Sequence, residues 1–174
     1  MDFKIAIALS NNEQVKKNTW QLVDLMTIHY TCSNSINQDN SDINIKERIR
    51  REATDIYKFI LNLNTGYQDK SKIKNIIIDN SLLGGNSFEV NIFIPFLEGL
   101  HLCNYEFNYH KTNQKSNIFN IITESHYSHL EAAIFGTHLA RDLVNHPLSH
   151  LTALQLSDEI KRVGAETGFK VEVL

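Results

Sequence analysis

Eight histidines are the first residues of this 174-residue chain that could do chemistry. His126 and His129 stand three apart, close enough to share one helical face, and His146 and His150 flank Pro147. A zinc centre needs three or four ligands converging on one point, usually steadied by outer carboxylates. Glu131 and Asp142 are the carboxylates at hand, but with these histidines they complete no known ligand spacing. The plainer reading is a set of surface and helix-end histidines, some favoured by the negative end of a helix dipole. His101 and His110, on either side of a tyrosine-rich passage, are read the same way, so no metal ligand is assigned. Nucleophilic catalysis finds no Gly-x-Ser-x-Gly elbow to stand on. Cys32 and Cys103 are far apart and in no redox or metal spacing, so they read as free thiols of a reducing cytoplasm. No catalytic residue is assigned either.

Two further runs invite a ligand. Gly84, Gly85, Asn86 and Ser87 precede a helical stretch, where backbone amides could cradle a phosphate. They lack the fuller glycine spacing of a phosphate loop, and a strand-to-helix turn accounts for them. Lys46, Glu47, Arg48, Arg50, Arg51 and Glu52 mix both signs along one helix, the pattern of a solvated face.

The elements that must position these residues follow from periodicity. Residues 3–9 alternate as a strand, with Phe3, Ile5, Ile7 and Leu9 on one side. Residues 10–18 are polar and turn the chain. Residues 20–31 fit a helix nearly as well as a strand, and Thr27, Ile28, Tyr30 and Thr31 tip the reading towards strand. Residues 33–42 are rich in Asn, Ser and Asp and read as a loop. An amphipathic helix is expected over 43–63, with Ile45, Ile49, Ala53, Ile56, Phe59, Ile60 and Leu63 inward. Residues 72–80 form a strand whose Ile76, Ile77 and Ile78 suit burial on both faces. A helix over 89–104 and a short strand over 118–122 come next.

The last fifty residues are the most sharply punctuated. Leu130, Ala133, Ile134, Thr137, Ala140, Leu143 and Val144 recur at helical spacing, and Asn145 with Pro147 stops that helix. Thr152 and Gln155 make a capping box for a second helix with Leu156, Ile160 and Val163 as its apolar stripe. Gly168 is placed to end it in a left-handed turn, and residues 169–174 alternate as a strand. A final strand without its sheet predicts an exposed, frayed end.

Composition bounds the class. The chain is 42% apolar and 21% charged, with 7 glycines and 2 prolines, as in an ordinary globular protein. A net charge of -3 argues against a general nucleic-acid or membrane-surface binder. The start, with only a short apolar run followed by polar residues, does not read as a signal peptide, and no apolar run is long enough to span a bilayer. Alternating strands and helices predict an α/β fold with a largely parallel sheet in three layers, helices on both faces.

The run Ala140, Arg141, Asp142, Leu143, Val144, Asn145, His146, Pro147, then Leu151 and Thr152, then Lys170 to Leu174, resembles the segment joining the two domains of the leucyl (cytosol) aminopeptidase family. Leu97, Glu98, Gly99 and Leu100, followed by Tyr105, Phe107, Lys111 and Thr112, match an earlier passage of that family in the expected order. Ser149 and Ala153 depart from its usual asparagine and proline. The resemblance implies a macro-domain-like N-terminal domain over residues 1–124, an interdomain helix and linker over 125–150, and the start of a catalytic domain over 151–174. It implies that Arg141, Asp142, Asn145, Pro147 and Thr152 brace the domain junction. It further implies a cytoplasmic, hexameric parent that cleaves N-terminal residues from peptides with two divalent metal ions, Zn or Mn, acting as Lewis acids. The lysine and carboxylates that hold those metals would follow Leu174, so the chain itself is expected to hold no cofactor and no activity. A macro-like fold also allows a different role, a free-standing module binding ADP-ribose or nucleic acid.

Overall fold

The computed structural model describes residues 2–9, 19–24, 27–32, 42–65, 72–82, 89–112, 116 and 118–173. The turns expected at 10–18 and 84–86, and nearly all of the loop at 33–42, lie outside the described residues. Five strands form one sheet: β1 (Asp2–Leu9), β2 (Thr19–Asp24), β3 (Thr27–Cys32), β4 (Asn75–Leu82) and β5 (Asn120–Thr123). Their order is β2-β3-β1-β4-β5. β1 runs parallel to β3 and β4, β4 runs parallel to β5, and β2 pairs antiparallel with β3. The α/β class and the mostly parallel sheet match the expectation, and the strand expected over 20–31 is found as two antiparallel strands, residues 20–24 in β2 and 27–31 in β3.

Register explains the core. Directly paired residues share a face, so Ile5 and Ile7 meet Ile28 and Tyr30, while Phe3 and Ile5 meet Ile76 and Ile78. All seven are at most 1% exposed. Ile77 points the other way and is only half-buried, so the apolar run of β4 is covered on one face more fully than on the other.

Helix α1 (Asp42–Thr65) sends Ile49, Ala53, Ile56, Tyr57 and Ile60 into this core. Helix α2 (Ile94–Cys103) adds Phe96, Leu97 and Leu100. It is preceded by one π-helical turn, Glu89–Phe93, where an ordinary helical start was expected. Pro95 gives the reason: without an N–H it cannot donate to the carbonyl four residues back, and the wider turn relieves that break. α1 and α2 approach closely at Gly99, where a β-carbon would lie 2.6 Å from the carbonyl oxygen of Arg50 and 2.9 Å from its Cα. Beside this point the Arg50 guanidinium donates to Glu98 at 2.7 Å. The Tyr30 ring stacks at a tilt on Phe96, centroids 4.8 Å apart, and its hydroxyl donates to Glu52 of α1.

Two asparagines join helix to sheet. Asn64, 6% exposed, accepts from the Ile73 N–H at 2.7 Å and donates back to the Ile73 carbonyl. Asn104 accepts from the Phe119 N–H and donates to the Phe119 carbonyl, at 2.8 and 2.7 Å, just before β5 begins. The Tyr57 hydroxyl donates to the same Asn104 oxygen. Burial pushes the Tyr57 pKa up to about 12, with Cys103 and Glu106 adding to the shift, so the group remains a neutral donor.

The chain divides into two compact units, Met1–Ile134 and Phe135–Leu174. Helix α3 (Ser128–Asn145) begins in the first, where Leu130 and Ile134 are buried, and continues in the second. Within the second unit, α4 (Ala153–Thr167) starts at the predicted capping box and ends at Gly168, whose φ of 86° is the left-handed turn expected there. The strand expected over 169–174 is not formed: residues 169–173 have no regular structure. A strand needs a neighbour for its N–H and C=O groups, and the described residues supply none. The segment instead folds back against α4, so close that a β-carbon on Gly164 would meet Val171 Cγ2 at 2.5 Å and the Phe169 carbonyl oxygen at 2.9 Å. No helix among the described residues is long and apolar enough to cross a membrane.

Replacing Gly99 by alanine is expected to destabilise the protein by about 1–3 kcal/mol in urea unfolding, because the crossing must open. The same change at Gly136, with nothing within 4 Å of the added carbon, should stabilise by up to ~1 kcal/mol. Equal effects at the two sites would refute the tight crossing.

Candidate functional site

The residues that could act chemically are dispersed. His126 sits before α3 with its Nδ1 2.7 Å from Glu131, and both are largely exposed. The backbone N–H of His146 donates to the Asp142 carbonyl at the helix end, and the His150 Nδ1 lies 2.9 Å from the Ser149 hydroxyl. Among the described residues no three His, Cys, Asp or Glu side chains converge to hold a metal ion. The pair of metals implied by the resemblance therefore has no fitting donor set in these residues, and no reaction step is derived through it.

The mixed charges of α1 are largely paired. Arg51 donates to Glu47 at 2.9 Å, Arg50 reaches Glu98, and Arg48 lies 3.9 Å from Glu52. These contacts pair each arginine with a carboxylate, the mixed-sign pattern of a solvated face, and the Arg51 and Arg48 side chains remain 77% and 46% exposed. Gly84 to Ser87 lie outside the described residues. Cys103 is a free thiol and donates to the Thr54 hydroxyl at 3.2 Å.

On the less covered side of the sheet, Lys4 of β1 pairs with Asp79 of β4 at 2.9 Å. Ser81, through its hydroxyl and its N–H, and Lys4 together hold the Asp79 carboxyl down to about 2 from its ordinary 3.8. Sequence reasoning missed this pair, since its partners are far apart in the chain and meet only through register.

The residues expected to brace a domain junction fall in the second unit. Arg141 and Asp142 are half-buried on α3, Asn145 ends that helix, and Pro147 is exposed. Arg141 and Asn145 line a shallow groove of about 290 Å³ with Thr137, Ala140 and Val144. The Pro147 carbonyl accepts from the N–H groups of His150 and Leu151, which bends the linker towards α4. Thr152 accepts from the Gln155 N–H while the Gln155 side chain accepts from the Thr152 N–H, both halves of the capping box. Further along α4, Arg162 forks between Glu159 and Glu166 and draws the Glu159 carboxyl below its usual range. The opposite side of α4 carries a groove of about 380 Å³ lined by Ala153, Leu156, Ser157, Ile160, Val171, Glu172 and Val173. The helical stripe was legible in sequence, but Ser157 was not singled out.

This arrangement, a five-stranded sheet followed by a long helix, a proline-marked linker and a capped helix, has counterparts. Bottromycin maturation enzyme BotP in complex with Mn superposes with a TM-score of 0.59 at 14% identity, over 95% of this chain and 36% of that one. A mutant of tomato leucine aminopeptidase superposes with a TM-score of 0.56 at 14% identity, over 94% of this chain and 39% of that one. In sequence, a probable cytosol aminopeptidase of Clostridium perfringens (strain 13 / Type A) is 34% identical over 97 residues, 48% of this chain and 20% of the relative. The chain carries the N-terminal-domain fold of the leucyl aminopeptidase family. No family model matches it. The chain spans about a fifth of the length of that aminopeptidase.

Two measurements check the electrostatics and the cap. A carboxyl whose folded pKa is depressed adds stability above its unfolded value, near 3.8, and loses it as pH falls towards about 2. Wild type should thus lose more stability than Asp79→Asn across that window, and parallel unfolding profiles would refute the pairing. Thr152→Ala should weaken α4 by ~1 kcal/mol, read as faster amide exchange in its first turn, with no change in α1.

Proposed function

We propose that the chain is the N-terminal, non-catalytic part of a metal-dependent leucyl aminopeptidase that removes N-terminal amino acids from peptides. The observation that carries this reading is the 34% identity to a probable cytosol aminopeptidase of which the chain covers 20%. The solved structures of like fold support it, because this chain covers nearly all of itself and little more than a third of them. Residues 1–124 are the N-terminal domain, 125–150 the interdomain helix and linker, and 151–174 the opening of the catalytic domain. In that reading Arg141, Asp142, Asn145, Pro147 and Thr152 brace the junction. Two divalent ions, Zn or Mn, would be held by the catalytic domain of the same polypeptide and would supply Lewis-acid chemistry there; the manganese complex of BotP supports a metal of this kind. The assembly is a cytoplasmic hexamer, and the N-terminal domain contributes to assembly, substrate access or regulation.

The test is hydrolysis of leucyl anilide. The native polypeptide should turn it over and lose activity to a chelator, while residues 1–174 alone should not. Chelator-sensitive turnover by residues 1–174 alone would overturn the non-catalytic assignment.

A further inference from the structure

The two faces of the sheet are unlike. Helices α1 and α2 pack on the side of Phe3, Ile5, Ile76 and Ile78, whereas Lys4, Ile77 and Ile122, paired in one row across β1, β4 and β5, look the other way. A mostly parallel sheet normally has both faces covered. Here the second face holds a cavity of about 330 Å³, lined among the described residues by the sheet and the end of β5 and by no helix. That volume stands near the lower end of the range for small-ligand sites, about 300–1,000 Å³.

The lining divides its charges. On one side the half-exposed Lys4 ammonium gives one of its three donors to Asp79 at 2.9 Å. Asp79 is taken up by Lys4 and by Ser81. On the other side Glu124 is exposed and makes no hydrogen bond or ion pair among the described residues. The Thr123 hydroxyl next to it donates to the Ser125 carbonyl, which leaves its oxygen free to accept. Between the two sides Ile77 and Ile122 make an apolar floor, Ile122 being 39% exposed. Lys4 and Glu124 stand two strand spacings apart, about 10 Å between backbones, and their long side chains can close on a small molecule lying over β4.

We propose that this cavity binds a free amino acid with an aliphatic side chain, such as leucine. Lys4 donates to its carboxylate, Glu124 and the Thr123 oxygen accept from its ammonium, and its side chain lies on Ile77 and Ile122. Charge complementarity selects this occupant. An anion such as a nucleotide would face the Asp79 and Glu124 carboxylates, a simple cation would face Lys4, and an uncharged apolar molecule would desolvate both charges without pairing either. A zwitterion pairs both, through charge-assisted hydrogen bonds. A metal ion lacks donors, since no three ligating side chains converge among the described residues. The choice of amino acid over other aliphatic zwitterions rests on the aminopeptidase reading, in which such a molecule is the released product.

Titration of the 174-residue chain with L-leucine, followed by amide NMR, tests the site. Saturable shifts should centre on Ile77, Ile122 and Glu124, with a Kd on the order of 1 mM. Leucinamide, which lacks the carboxylate, and 4-methylpentanoate, which lacks the ammonium, should each bind roughly fivefold more weakly. Glu124→Gln, at an exposed position, should weaken leucine by a similar factor and leave the unfolding midpoint unchanged. No saturation by about 10 mM, shifts confined to the second unit, or equal binding of leucine and the two analogues would each overturn the proposal. Leucyl anilide hydrolysis by the native polypeptide separates the two readings: hydrolysis without leucine binding to residues 1–174 sinks the site alone, and leucine binding without hydrolysis sinks the peptidase activity alone.

Discussion

At Gly99, helices α1 and α2 meet backbone to backbone, and most of the first unit depends on that contact. The approach leaves no room for a β-carbon against Arg50. It brings Phe96 under Tyr30 and places Glu98 within reach of the Arg50 guanidinium. It also carries the end of α2 to where Asn104 can take the Tyr57 hydroxyl and both backbone groups of Phe119. Dispersion and burial in this layer are non-directional. The hydrogen bonds of Asn64 and Asn104 are directional, and they fix where β4 and β5 enter the sheet.

The second unit is held differently. Its order comes from local devices: the capping box at Thr152, the bonds to the Pro147 carbonyl, the left-handed Gly168 and the Arg162 fork. Each satisfies a helix end or pairs a surface charge, and none supplies a core. Apolar side chains such as Val144, Leu148 and Leu154 stay 79–85% exposed. Its helix ends are finished while its apolar face stays open, and that contrast is what the proposed domain junction rests on.

Local signals in the sequence proved the more legible. Thr152 with Gln155, Gly168 and the Asn145 to Pro147 stop rest on hydrogen bonds and torsions within a few residues, and each stands where expected. The stripes of β1 and α1 were equally clear, because period 2 and period 3.6 follow from backbone geometry alone. What was obscure depends on distant partners. The Lys4 and Asp79 pair, the Asn64 and Asn104 brackets and the Gly99 crossing exist only once register and helix packing are set. The alternation at 169–174 is a strand's pattern, but a strand also requires a neighbour, and none of the described residues provides one. The histidines carried no comparable signal, since spacing along a helix says nothing about whether a third ligand converges.

The strand order carries a consequence for how the chain is made. β1 lies at the centre of the sheet, yet its two neighbours, β3 and β4, are both synthesised after it, β4 beginning only at Asn75. At roughly 5–20 residues per second, about 4–15 s pass between them on the ribosome. During that interval Phe3, Ile5 and Ile7 have one flank open. Parallel pairing over such separations is slow, and an unpaired apolar strand is what chaperones bind. The nascent chain is thus most exposed to aggregation before its fourth strand emerges, and its yield in cells should depend on translation speed over the first eighty residues as much as on final stability.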